Sequence, residues 1–322
     1  MLLNKLFVGE NMFEEVNKVV SEFVINPNNR IYIDNLEEVS RISESVYTQK
    51  EQKVGTDKWS KKIDINKSIE YVYEFICSID SSMANQFMNL IHYQGEKIVD
   101  LLPRKGHEDE FIYQDRVDMN GIVHIYYEES PNDMFVIFHE MLHKMNEANI
   151  EKDGGRISEN QTRNYFGEAT SIIGEMLLGK WLVTKGIITE NDFNIRMKKR
   201  LMSSKENARD VLIEAELIKL KLVGHDINEK NLLNSLKNTK NPVLLQIFSD
   251  ESHDLRRMHC IKKMNDLNLR RSQRYVIGQY LADDFSRRKN SVEDFLKLNY
   301  EVGNVNADIN KVASGLRSSS RK

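Results

Sequence analysis

The stretch Phe138-His139-Glu140-Met141-Leu142-His143 constrains this chain more than any other. It lies inside a segment, Ser130 to Asn149, whose pattern reads as one helix. Positions i and i+4 of a helix lie on one face about a turn apart, so His139 and His143 can offer two imidazole nitrogens to one metal ion. Glu140 then sits beside that ion. Zinc held by N and O ligands with one open position lowers the pKa of bound water to about 7, and a neighbouring carboxylate can take the proton as water attacks a carbonyl. The helix starts cleanly, with Ser130 as cap, Pro131 in the first turn and Asp133 three residues on to close a capping box. Met134, Phe135, Ile137, Phe138, Met141, Leu142 and Met145 make it apolar nearly all round, which predicts burial. A buried helix carrying two His and a Glu must satisfy them, either by ordinary hydrogen bonds or by a ligand.

A second helical pattern, about Thr162 to Lys185, supplies the partners. It carries Glu168, 25 residues past His143, and Glu175 at i+7 on the same face. Two acids in so apolar a helix are costly unless paired. A site of two His and one Glu supplies the pairing, with Glu168 as third ligand and Glu175 as acceptor for a ligating imidazole or a nearby donor. The alternative reading turns both acids to solvent.

Elsewhere the chain reads as helices, with one exception. Helical spacing covers Glu10–Asn26, Leu36–Tyr47 and Ile63–Ile91, and Thr48–Lys62 with Gly55 is the best linker. Past Asn191 further helices follow, including 191–204, 206–223, 254–268, 272–288 and 304–316. Between Lys97 and Tyr127 the period shortens, and short β-branched and aromatic runs read as strands. Among them are Glu110–Tyr113 and Gly121–Tyr127, with Arg104-Lys105-Gly106 as a break and Asn120-Gly121 as a hairpin turn. The last strand leads directly into the helix of His139. Such a strand can hold an extended peptide by adding it as a further strand. Only 4 Pro and 15 Gly in 322 residues also favour helices over a multi-strand sandwich.

Charge and composition exclude some partners. A formal charge of −3 with 30% charged residues gives no basic field for nucleic acid, and no run of eighteen apolar residues asks for a membrane. Met1–Val8 is too short, and too soon followed by acids, for a signal peptide, and two cysteines, Cys77 and Cys260, form no disulfide framework. A cytoplasmic protein is expected.

The order of these pieces resembles the oligoendopeptidase F and thimet oligopeptidase family of zinc peptidases. That family has a strand, an H-E-x-G-H helix, an E-x-x-S-x-x-x-E helix at similar spacing, and near the end a Tyr-rich helix with a Y-x-x-G step. The matching residues are His139, Glu140 and His143, then Glu168, Ser171 and Glu175, then Tyr275 and Gly278, within roughly residues 95 to 316. The resemblance implies Glu140 as general base, Ser171 and Glu175 in support of the ligands, and Tyr275 or Tyr280 steadying the tetrahedral intermediate. It also implies Ile122, His124 and Tyr126 along the substrate. Two departures stand out. Leu142 replaces the family's Gly, and Asn265 falls where the family places a His, leaving Tyr275, Tyr280, His253 or His259 to supply that donor.

The expectation is therefore a mainly α, zincin-like metallopeptidase with a small β-sheet preceding the H-E-x-x-H helix. Residues 1–60 form a helical N-terminal segment and 61–322 the catalytic domain. One Zn2+ per chain is held by His139, His143 and Glu168, and the substrate is a peptide or protein. Its rivals are a non-catalytic metal-binding scaffold or regulatory protein and a protease effector with one target.

Overall fold

Apolar residues at helical spacing near the N-terminus close as α1 (Glu10–Ile25), α2 (Arg30–Asp34) and α3 (Leu36–Tyr47), with a 3-10 turn at Pro27–Asn29 between the first two. The chain continues through α4 (Ile65–Ile79), α5 (Ser81–Ile91), β1 (Val99–Pro103), β2 (Asp115–Val117), β3 (Val123–Tyr127), α6 (Pro131–Lys152) and α7 (Gln161–Thr184). It ends with α8 (Glu190–Leu222), α9 (Glu229–Asn238), α10 (Pro242–Ser249), α11 (Asp266–Arg287) and α12 (Val292–Val302). This computed structural model describes residues 10–50, 58–91, 99–103, 115–117, 123–155, 161–239, 241–249, 266–288 and 291–304. Gly55, Arg104-Lys105-Gly106, Glu110–Tyr113, Asn120–Ile122, His253, His259, Cys260, Asn265 and the end of the chain past Asn304 lie outside them. The protein is mainly α with a small sheet ahead of the helix of His139, as its sequence predicts. Among the described residues no helix is long and apolar enough to cross a membrane.

Two compact units share the chain. One comprises Met1–Lys50 with Met202–Tyr280, the other Glu51–Leu201 with Leu281–Lys322. In the first, Val16, Val20, Phe23, Val39 and Val46 are buried, as are Val211, Leu217, Ile218, Ile247 and Val276. Asn17 joins the two stretches of sequence, its Oδ1 accepting from Lys221 Nζ at 3.0 Å and from the Ile227 backbone N–H at 3.1 Å.

In the second unit the expected pattern from Ile63 to Ile91 resolves into two helices. Asp80 divides them, because its backbone N–H closes α4 on the Ile76 carbonyl while its carboxylate caps Met83 N at 2.7 Å. The sheet has the order β1-β3-β2. β1 runs parallel to β3 with Asp100 opposite His124, and β2 runs antiparallel with Asp115 opposite Ile125. β3 is thus the central strand, hydrogen-bonded on both sides over Val123–Ile125. An extended peptide does not add as a further strand to the backbone of those residues, because their hydrogen-bonding groups are already paired. That pairing includes the parallel addition of β1, which local sequence does not encode. A short turn then feeds α6. Asp133 accepts from the backbone N–H of Ser130 at 2.9 Å and of Glu128 at 3.2 Å, while Glu129 takes a positive φ of 53°. Burial pushes the Asp133 carboxyl up to about 6, against the pull of the Ser130 and Glu128 N–H groups.

Helix α8 is continuous where the sequence pattern suggests two helices meeting near Lys205. The stretch Ser203-Ser204-Lys205 interrupts the apolar periodicity but contains no Pro or Gly to end a helix.

Candidate metal centre

Helix α6 is buried on every side from Pro131 to Leu142, as its sequence predicts: Met134, Phe135, Ile137, Phe138, Met141 and Leu142 are fully buried and Met145 nearly so. Gly174 lets α7 approach closely. A Cβ at Gly174 would stand 2.7 Å from Leu142 Cδ1 and 2.8 Å from Phe138 Cε1, and one at Gly167 would stand 3.8 Å from the His143 ring. The bulk of Leu142, unexpected beside the H-E-x-G-H pattern, is received by the missing side chain of Gly174. From the other side, Phe75 of α4 meets Phe138 edge to face at 5.3 Å.

This packing brings His139 and His143 of α6 to Glu168 of α7. The two Nε2 atoms lie 3.2 Å apart, His139 Nε2 is 3.3 Å from Glu168 Oε2, and His143 Nε2 is 3.4 Å from Glu168 Oε1. Ligands at about 2.1 Å from a tetrahedral ion lie about 3.4 Å from one another, so the three groups are spaced as the corners of such a site. Glu168 Oε2 is buried and has no hydrogen-bond partner among the described residues. His139, His143 and Glu168 form a group able to hold a metal ion. Glu140, buried on the next position of the helix, has Oε1 3.7 Å from His139 Nε2.

Electrostatics favour positive charge at this point. Burial acts to lower the His139 pKa, but the carboxylates of Glu168 and Glu175 outweigh it and raise the ring to about 10. Burial likewise acts to raise Glu168, and the adjacent His143 and His139 hold it well below the usual carboxylate range.

Around this group the chain supplies support. Glu175, fully buried, stands with Oε1 2.7 Å from His139 Nδ1. Ser171 Oγ donates to the His139 carbonyl at 3.3 Å and lies 3.4 Å from His143 Nε2. Two residues missed by sequence reasoning, Arg196 and Arg200 of α8, close on Glu175. Arg196 Nε donates to Oε2 at 2.7 Å, and Arg200 donates to Oε1. Burial works to raise Glu175, and Arg196 and then Arg200 hold it far below the ordinary carboxylate value. A signal for them existed: two Arg at i and i+4 form one cationic face, which a buried acid requires.

The remaining predicted residues among those described lie on the sheet and on α11. His124 pairs across the sheet with Asp100 at 3.5 Å, and Tyr126 is buried. Tyr275 and Tyr280 lie on the part of α11 that belongs to the first unit. There Tyr280 hydrogen-bonds Arg41, whose pKa is raised by Glu38 and then by Tyr280.

No family model matches the chain, and no curated protein matches it. A solved crystal structure of a candidate peptidase from Chlamydophila abortus aligns at 15% identity with a TM-score of 0.46, covering 99% of this chain. The chain spans 56% of that protein's length.

Proposed function

We propose that the protein is a zinc-dependent metallopeptidase of zincin type, cleaving peptide bonds in peptides or a protein. The observation that carries this reading is the triangle of His139 Nε2, His143 Nε2 and the Glu168 carboxylate, 3.2 to 3.4 Å on a side, with Glu140 beside it. His139, His143 and Glu168 would hold the ion. Two imidazoles and one carboxylate are the donor set of catalytic zinc, which keeps a fourth position open, whereas structural sites close with four protein ligands. When bound, zinc supplies a Lewis acid for the scissile carbonyl and a water acidic near neutrality. Glu140 takes the proton from the attacking water and delivers it to the leaving amine. Glu175 holds the His139 ring by Nδ1, and Ser171 steadies the backbone that carries it.

The order of motifs supports peptide hydrolysis, through its resemblance to the oligoendopeptidase F and thimet oligopeptidase family. Retention of Glu140 also favours an enzyme, because a scaffold needs ligands but no base. The deciding experiment measures zinc content and cleavage of a broad peptide library for wild type and Glu140→Gln. About one zinc per chain in both, with cleavage reduced by about 10²- to 10⁴-fold or more in the variant, is the expected result. A zinc-loaded wild type that cuts nothing in the library overturns the enzyme reading and leaves a metal-binding scaffold.

A further inference from the structure

Arginines 196 and 200 are not needed as ligands or base, yet they are built into the centre. Arg196 is anchored to the first turn of α6, where its Nη1 donates to Asn132 Oδ1 at 3.1 Å and its guanidinium lies over the Phe135 ring at 5.7 Å. From there its Nε reaches Glu175 Oε2 at 2.7 Å. Arg200 approaches the same carboxylate from one turn further along α8. Its Nη2 donates to Oε1, the oxygen that faces His139 Nδ1, and stands 3.0 Å from that nitrogen.

We propose that Arg196 and Arg200 are positioning residues for the metal ligand His139, acting through Glu175. Both carboxylate oxygens are engaged, one by each guanidinium, so the carboxylate cannot rotate away from the ring. A guanidinium has only donors and keeps its charge. It therefore cannot accept the Nδ1 proton, and the Glu175 oxygen shared by Arg200 and His139 is the acceptor both require. In the neutral ring that ligates a metal, the proton is thereby kept on Nδ1 and the lone pair on Nε2, directed towards His143 Nε2 and Glu168. That is the tautomer that ligation through Nε2 demands. The carboxylate in turn is affordable in a fully buried place because two cations face it. Fixing the ring thus depends on a helix that contributes no ligand at all.

The inference rests on the metal-centre reading above, and its test separates the two. Metal-free protein is titrated with Zn2+ against a chromophoric chelator, and the Co2+-loaded form is examined by visible absorption. Failure of wild type to bind either ion removes the metal centre and this inference with it. Arg196→Lys and Arg200→Lys keep the positive charge but lose the planar fork, and each should weaken Zn2+ binding by about 10- to 100-fold and shift the Co2+ bands. Far-UV circular dichroism verifies the fold of each, and either variant alone decides if the other melts. Unchanged affinity in a folded Lys variant, with wild type binding normally, overturns the inference and spares the metal centre. A double-mutant cycle then isolates the route. Added to Glu175→Gln, Arg200→Lys should cost no further affinity, because the effect runs through Glu175, whereas additive losses would show an independent structural role.

Discussion

Glu175 and Glu214 are both buried carboxylates, at 0% and 5% exposure, each on a long helix, and their pKa values move in opposite directions. Burial acts to raise both. For Glu175 it is overcome by Arg196 and Arg200, with His139 adding to the pull, and the group stays ionised. Glu214, on α8 within the first unit, has Asp210 as its charged neighbour. Burial and then that like charge push it well above the ordinary value, and its Oε2 has no hydrogen-bond partner among the described residues. Burial of an acid therefore says little about chemistry until its partners are known. One histidine and two arginines around Glu175 describe a charged network, whereas the like charge of Asp210 beside buried Glu214 favours its protonated form.

That contrast can be broken from the metal side first. His143→Ala removes one corner of the triangle, and the protein should lose its stoichiometric zinc, as metal analysis after dialysis would read. Stoichiometric zinc surviving in the variant would overturn the assignment of the His139, His143 and Glu168 triangle as the metal centre.

The next test concerns stability. Glu175→Leu leaves Arg196 and Arg200 buried without their anion, which costs about 3–5 kcal/mol for a broken buried pair. Denaturant unfolding of the metal-free protein should show this loss, and a change under about 1 kcal/mol would mean the arginines find other partners.

A smaller effect is expected at the Tyr-bearing helix, where only the family resemblance assigns a role. If Tyr275 donates its phenol to the oxyanion, Tyr275→Phe should lower kcat by about 10- to 1000-fold with little change in KM. Tyr280 lies five residues on, about 140° round the helix, and already hydrogen-bonds Arg41, so Tyr280→Phe should leave kcat unchanged. The reverse result would assign the donor to the other face of α11.

Glu214 should give the smallest response, and its sign opposes the usual one for carboxylates. With the folded pKa raised, the native state keeps a proton that the unfolded chain has released, so stability is full below the unfolded value near 4.5 and falls as pH rises through the folded value. The slope for one proton is at most about 1.4 kcal/mol per pH unit. Glu214→Gln should flatten that part of the stability profile in urea melts between pH 5 and 8 without changing zinc content. A profile unchanged by the substitution would show that Glu214 is ionised in the native protein.

The parts of this molecule that could be read in advance are those that one or two turns of helix encode. His139 and His143 share a face by their spacing, and Glu168 and Glu175 repeat the argument on α7. Long-range pairing left no such trace. Nothing in β3 announces that β1 joins it in parallel, and nothing near residue 17 announces Lys221 and Ile227 as partners of Asn17. The grouping of 1–50 with 202–280 is accordingly a product of folding that a reading from one end to the other has no means to find. Arg196 and Arg200 fall between these cases, since their spacing was visible and their partner was not.

The contact of Leu142 with Gly174 also bears on how such a helix pair can change by descent. Volume there is shared between position 174, Leu142 and Phe138, because a side chain at 174 would stand 2.7 Å from the Leu142 methyl and 2.8 Å from Phe138 Cε1. Bulk cannot appear at 174 first, since overpacking a filled core forces neighbours aside. A lineage exchanging the two sizes must instead shrink residue 142 beforehand and pass through a form with small residues at both places, carrying a cavity that costs about 2–5 kcal/mol. Any chain on that route needs stability to spare, and a pattern requiring Gly before the second His passes over a chain that carries its small residue on the facing helix.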